Sequence, residues 1–454
     1  MATIFWDPQA AVNGSGSSDA SPKNTLGALS NGDVIRPKYG SFAYFASQWN
    51  WGTATGITVL PYGDPVNGRP RITVDTGLTN GINIQGDGTH RFYDVHFDAG
   101  SNNVNGGIVG LGLVAASGYG ASAEFYGCRW SRTYGHGIFT GESGATASRV
   151  VKIIGGEFDD IGHDTFFGGA DQFEMAYVRA TRLSMRNVGG DGLGWFGVDP
   201  TQAWVHHNYF DHRDINTKHC VMFDANTTNA GMMIVEDNYL LCWGDENTAA
   251  GASNGPGGVP GNVGINGDGR MIVRRNVIEC AGIAINLAGA NSVAESNVIL
   301  VRNGETGRPV IALDANGAQA NHNALVSTRV LPASHVAIAQ GSGRTGGVVK
   351  NNILSGMRRG IQSDNGASSM STGYNCVHNV ETPYWNSSGS AAFASLGGDV
   401  TANPQFLDVL RPWMGIGASS PCRGAGTYIQ GARDRFNRRY AGRNIGPWAV
   451  LAAA

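Results

Sequence analysis

Three observations predict an all-β chain that stacks short coils into a parallel β-helix. An Asn stands two residues before a large apolar side chain at Asn208, Asn238, Asn276, Asn297, Asn323, Asn352 and Asn375, at steps of 30, 38, 21, 26, 29 and 23 residues. Unequal steps centred in the twenties, filled with short strands and turns, mark a solenoid. In each coil a second alternating strand follows a turn, as in TFFGG, VMFDAN or IALDANG, closed by Asp, Asn or Gly. Those residues favour turns and tolerate positive φ. The chain also has 68 glycines and only 15% charged residues, a composition that turns often and makes poor helices. One such coil cannot bury its own apolar face, so stacking must create the core.

In chain order, residues 1–56 read as an N-terminal cap, with a strand at TIFWDP and a short helix at SPKNTLGALS, where Ser21 would cap and Pro22 would take the first helical position. Coils are expected over 57–386, beginning with GITVL, RITVDTG and INIQGDG. Aligned on the ladder position, the first four coils carry Val95, Cys128, Gly156 and Thr181 in place of Asn. A Gly-rich insertion, WGDENTAAGASNGPGGVPGN, interrupts the rhythm and reads as either decoration or a flap. Residues 387–454 read as a closing unit, in which Arg433, Arg435, Arg438 and Arg439 form a solvated basic face.

Bulk properties exclude several classes. A formal charge of −3 gives no overall field for nucleic acid or an anionic membrane. The six cysteines lack metal-knuckle spacing and are expected to be buried thiols. No apolar run approaches a membrane span. The start, MATIFWDPQAAVNG, has no signal-peptide pattern. The expectation is a soluble protein made in the cytoplasm, which reaches the outside by lysis or in a virion.

The opening WDPQAAVNGSGSSDASPKNTL and the closing ANPQFLDVL, GASSPCRGAG, DRFNRR and NIGPW resemble those of right-handed parallel β-helix proteins of the pectate-lyase-like superfamily. That group includes pectate lyases, polygalacturonases, alginate epimerases and phage tailspike depolymerases. The resemblance implies a right-handed helix with N- and C-terminal caps, a polysaccharide substrate and, for tailspikes, a homotrimer with parallel axes. Of the polygalacturonase motifs only YGHG at 134–137 has a counterpart, so no catalytic residue carries over.

Candidate chemistry comes from columns of equivalent residues, spaced about 4.8 Å from coil to coil. His136, His163, Asp191 and His219 align just before the second strand. An Asp between imidazoles fixes a tautomer and suits a general base; the same residues also serve as a polar turn ladder. Asp159 and Asp211 fall in another column, two coils and roughly 9.6 Å apart. Inverting glycosidases hold their carboxyls roughly 6.5–9.5 Å apart. Asp residues in such turns equally cap backbone amides. An outward face of Trp204, His206, Tyr177, Arg179, Glu236 and Arg213 suits sugar rings and their polar groups. No cofactor is expected; a calcium ion at Asp159, Asp160 and Asp164 is the one metal alternative.

The reading is an endo-acting polysaccharide depolymerase, first by hydrolysis with Asp159 and Asp211 as acid and base and with His163, Asp191 and His219 positioning or transferring protons. The alternatives are a lyase, in which Arg179, His206 or His219 abstracts a proton beside a uronate carboxylate, and a non-catalytic tail adhesin.

Overall fold

The computed structural model describes residues 1–45, 49–51, 54–74, 81–84, 88–100, 107–111, 121–140, 150–181, 191–196, 200–212, 219–224, 231–242, 263–302, 309–364, 370–388, 393–408, 415–429, 434, 436 and 444–448. Among them the chain is all-β apart from one 3-10 turn at Pro65–Asn67. No described helix is long and apolar enough to cross a membrane. The chain divides into two compact units, Met1–Trp204 and Val205–Ala454. Each is a stack of three-strand coils, and every strand pairs in parallel with its counterpart one coil away. Three all-parallel sheets of this kind make a right-handed parallel β-helix.

In the first unit, the coil Ser122–Tyr126, Arg129–Thr133 and His136–Phe139 pairs strand for strand with Val150–Ile154, Glu157–Ile161 and Phe166–Gly168. Those pair in turn with Gln172–Ala176, Arg179–Thr181 and Leu193–Phe196. The stack reaches back before residue 57. Val34–Pro37, Phe42–Phe45 and Trp49–Asn50 already occupy the three sheets, and Thr3–Trp6 adds to the first. The helix expected at SPKNTLGALS does not form; Lys23 instead bridges to Trp6. The core here is aromatic. Trp130 and Phe158 stack at 4.4 Å from adjacent coils, and Phe97 and Phe125 pack on Trp130.

The second unit carries the Asn ladder. Asn276 donates from both its backbone N–H and its Nδ2 to Asn297 Oδ1, each at 3.0 Å. Asn297 Nδ2 then donates to Val273 O and to Asn323 Oδ1, each at 2.9 Å. The pattern runs from Asn208 to Asn375, where Asp399 accepts the last backbone N–H at 2.8 Å. One residue earlier in each coil the backbone is left-handed, with φ between 56° and 59° from His207 to Tyr374. That conformation costs about 1–2 kcal/mol for a residue with a Cβ, and the buried ladder bonds hold it. Two residues past each Asn, Phe210, Leu240, Ile278, Ile299, Leu325, Leu354 and Val377 form one buried column. Outside the second sheet, Cys422, Ile445 and Trp448 pack on Val298, Leu300, Ala324, Val326 and Ile353. The closing segment therefore covers a sheet face as well as following the last coil.

In the first unit the left-handed turn residues are Asp94, Gly127, Gly155 and Tyr177. Tyr177 therefore puts Val178 at the ladder position, and Thr181 pairs with Asp159 three residues on. The sequence alignment had slipped by three residues in this coil.

Charged groups tie neighbouring coils. Burial alone would raise the Glu236 carboxyl from its ordinary 4.5, but Arg274 and Arg275 outweigh it and the pKa is lowered. Arg132 does the same for Asp98, whose ordinary value is 3.8. Both groups are more acidic in the folded than in the unfolded chain. Their stabilisation is therefore full above pH 4.5 and is lost as pH falls through their lower folded values. Urea midpoints recorded from pH 7 downward should hold steady to about that point and then decline, and a midpoint still flat at pH 3 would contradict this.

Candidate functional site

The outer face of the third sheet carries a distinct cluster in the first unit. His136 begins one third-sheet strand, and the register places Asp164, not His163, opposite it on the next coil. The expected column is thus corrected by one residue. His163 nevertheless reaches the same point, because its Nδ1 lies 3.0 Å from Asp164 Oδ2, while His136 Nδ1 lies 2.9 Å from that oxygen. Asp191, one coil on, donates its backbone N–H to Asp164 Oδ1. Asp164 is fully buried. Burial alone would raise its carboxyl, but the two imidazoles outweigh that and hold it well below the usual carboxylate range.

Beside the cluster runs an aromatic row that alternation alone did not reveal. Phe139 and Phe167 stack at 5.6 Å, and Phe196 lies 4.9 Å from Phe167. The His136 ring sits 4.5 Å from Phe167, and the His163 ring 6.4 Å. Phe196 can reach Phe167 because Gly194, opposite Phe167, has no side chain. A Cβ there would meet Phe196 Cε2 at 3.1 Å, Asp164 Oδ2 at 3.2 Å and Phe167 Cδ2 at 3.3 Å. Gly194→Ala should therefore fold but lose about 1–3 kcal/mol through overpacking. A melting temperature equal to that of the parent would show that the row yields freely. The sequence signal was present, in FF of TFFGG and WF of LGWFG, but assigning a face to each ring needs the register.

The second unit carries a carboxyl pair on its own third-sheet face. Asp224 ends the strand His219–Asp224, and Asp268 follows Val263–Gly267 directly on the next coil. Phe223 pairs with Gly267, so the two Asp residues are one register step further on. The Asp268 N–H donates to Phe223 O at 2.8 Å. Burial raises the Asp224 carboxyl from its ordinary 3.8. Burial, then the charges of Asp224 and Asp314, raise Asp268, against His219. Asp268 is exposed as a residue while its carboxyl is partly buried, and the like charge of Asp224 on the neighbouring coil repels its ionised form. Among the described residues neither carboxyl has an ion-pair partner. Asp159, Asp98, Glu236 and Glu279 each accept from an arginine.

The other expected residues separate. Asp159 accepts from Arg129 at 3.2 Å and Thr181 at 3.3 Å. Asp211, in the second unit, accepts from Tyr209 at 3.1 Å. His219 is buried opposite Val263, and its charge acts on Asp268. Trp204 lines a concavity of about 260 Å³ on the first sheet, with Lys152, Gln172, Glu174 and Gln202. Among the described residues, the others do not share the one outward face expected of them. Tyr177 is an exposed turn residue, and Arg179 opens a second-sheet strand opposite Glu157. His206 is buried with its Nδ1 2.9 Å from that of His207, and Glu236 is buried against Arg275 at 2.6 Å. Arg213, the Gly-rich insertion and the Arg433–Arg439 run lie outside the described residues. All six cysteines are free and buried, as expected.

Among the described residues, His136, His163 and Asp164 are the group whose ligand atoms converge, within 4.8 Å of one another. Two imidazoles and one carboxylate suit a borderline transition ion better than calcium, which takes oxygen ligands.

No protein-family model matches the chain, and no curated protein sequence matches it. Among solved structures it is similar to the crystal structure of pectate lyase Pel9A, at 12% identity and a TM-score of 0.41, over 99% of this chain and 97% of that one. The strand pairing itself establishes the fold: the chain is a parallel β-helix.

Proposed function

We propose that the protein is a polysaccharide depolymerase that hydrolyses glycosidic bonds with Asp224 and Asp268. The observation that carries this is a pair of carboxyls on adjacent coils, both raised and without ion-pair partners among the described residues. Asp268, raised partly by the charge of Asp224, is the general acid; Asp224 is the nucleophile. A carboxyl that a like-charged neighbour helps keep protonated suits the acid role, with that neighbour as the nucleophile. Adjacent coils lie about 4.8 Å apart, close to the roughly 5–5.5 Å of retaining glycosidases. The proposal keeps the hydrolysis expected from sequence and moves its carboxyls, because Asp159 is committed to Arg129. The aromatic row Phe139, Phe167 and Phe196 supports glycan binding in the first unit, since ring faces cover the apolar C–H faces of sugars.

Digestion of a panel of bacterial surface glycans, with mass analysis of the products, tests the reading. Hydrolysis releases reducing ends without near-ultraviolet absorbance, and the anomeric signal of the first product should show retention. Unsaturated, absorbing products would replace hydrolysis by elimination; binding without products would make the protein an adhesin. The proposal includes the homotrimer that resemblance to tailspikes implies, and a monomer in sedimentation equilibrium would remove that part.

A further inference from the structure

The His136–His163–Asp164 cluster has no part in the proposed hydrolysis, yet it gathers two imidazoles on one buried carboxylate. Two coils supply it: His136 comes from one, and His163 with Asp164 from the next. The three donor atoms lie within 4.8 Å of one another, with both Nδ1 atoms at 2.9–3.0 Å from Asp164 Oδ2. We propose that His136 Nδ1, His163 Nδ1 and Asp164 Oδ2 bind one divalent transition-metal ion, of which zinc is the probe.

The spacing fits this ligation. Tetrahedral bonds of about 2.1 Å bring two donor atoms to about 3.4 Å from each other, within about half an ångström of the separations here. The orientation fits as well. His136 Nδ1 is buried and close to Asp164 Oδ2, yet it is out of line for a hydrogen bond to that oxygen. A proton shared along the line between the two atoms would satisfy it poorly, whereas a cation to one side of that line would use the nitrogen lone pair.

Charge supplies a further argument. Asp164 is a fully buried carboxylate, and an unpaired buried charge is costly. A divalent cation beside it compensates that charge directly.

The surroundings hold the ligands in place. The Asp191 N–H occupies Asp164 Oδ1 and leaves Oδ2 to the cluster, the kind of outer contact that orients metal ligands. Phe167 packs beside both imidazoles. The His163 side chain is 29% exposed, so an ion has a route in. The donor set is nitrogen-rich, which selects zinc, cobalt or nickel over calcium and magnesium.

The test is calorimetric titration of chelator-stripped full-length protein with zinc chloride, together with cobalt spectroscopy. One zinc per chain is expected, and a cobalt spectrum without sulfur charge-transfer bands would exclude the cysteines. His163→Ala, at the most exposed ligand, should weaken zinc at least tenfold, since even a lost outer contact costs about 10–100-fold. His136→Ala should do the same, and His207→Ala, at a histidine outside the cluster, should leave binding unchanged. Absence of stoichiometric zinc, or binding unaltered by both His163→Ala and His136→Ala, would overturn the proposal. The hydrolytic reading is separable: Asp268→Asn should lose cleavage and keep its zinc.

Discussion

Asp268→Asn is expected to lower kcat on a cleavable glycan by roughly 10²–10⁴-fold, the range for a lost general acid. The amide has nearly the shape of the acid but no proton to give the leaving oxygen. Little should change in the fold, because Asp268 is exposed and its backbone N–H bond to Phe223 O is retained. The pH profile gives an independent readout. A general acid works only while protonated, so activity should fall as pH rises through the Asp268 pKa. That limb lies above the ordinary 3.8, because burial and the Asp224 charge raise it. Asp224→Asn should remove the repulsion and shift the residual activity's limb downward. It should also lower kcat, since the nucleophile is gone. Full cleavage by both variants would refute the assignment.

The largest stability effect is expected at the Asn ladder. Asn297→Ala removes the acceptor used by two donors of Asn276 and the donor used by Val273 O and Asn323 Oδ1. All these groups are buried. An orphaned buried polar group costs about 1–3 kcal/mol, and at least two backbone groups are orphaned here. A loss of about 3–5 kcal/mol is therefore expected from chemical denaturation. Asn297→Asp should be nearly as costly: its oxygen still accepts, but it has no N–H to give and adds a buried charge. A loss below about 1 kcal/mol would mean that water replaces the ladder. The effect belongs to the second unit, since Val95, Cys128, Gly156 and Val178 hold the ladder position in the first.

Much of the fold was legible because its signals are local. Strand alternation, turn residues and the Asn-to-apolar spacing each lie within a few residues, and the seven asparagines all stand in one ladder. The left-handed residue before each of them was not legible. Asp, Tyr, His, Arg, Ser and Asn all take that position, so no residue type marks it, and Asp94 and Tyr177 take it with no Asn after them. Coil counting failed at Tyr177, where the residue two past the ladder position Val178 is the small Ala180 and a larger one, Leu183, mimicked its place.

The candidate sites were less legible, because they depend on register. A one-residue shift sends a side chain to the opposite face of a strand, and coils of unequal length leave that shift undetermined from spacing. Asp164 rather than His163 therefore stands opposite His136, and the two histidines meet on its carboxylate. Asp224 and Asp268 were visible as strand-closing residues of VMFDAN and INGDG, where the turn explanation sufficed. Their adjacency, shared repulsion and lack of arginine partners appear only when the coils are stacked. The sequence by itself determined that this chain is a stack of β-coils held by an asparagine ladder, because alternation and turn chemistry act within one coil. The tertiary structure alone decided which carboxyls and imidazoles meet, because those neighbours lie one coil apart and only inter-strand hydrogen bonding sets which residue faces which.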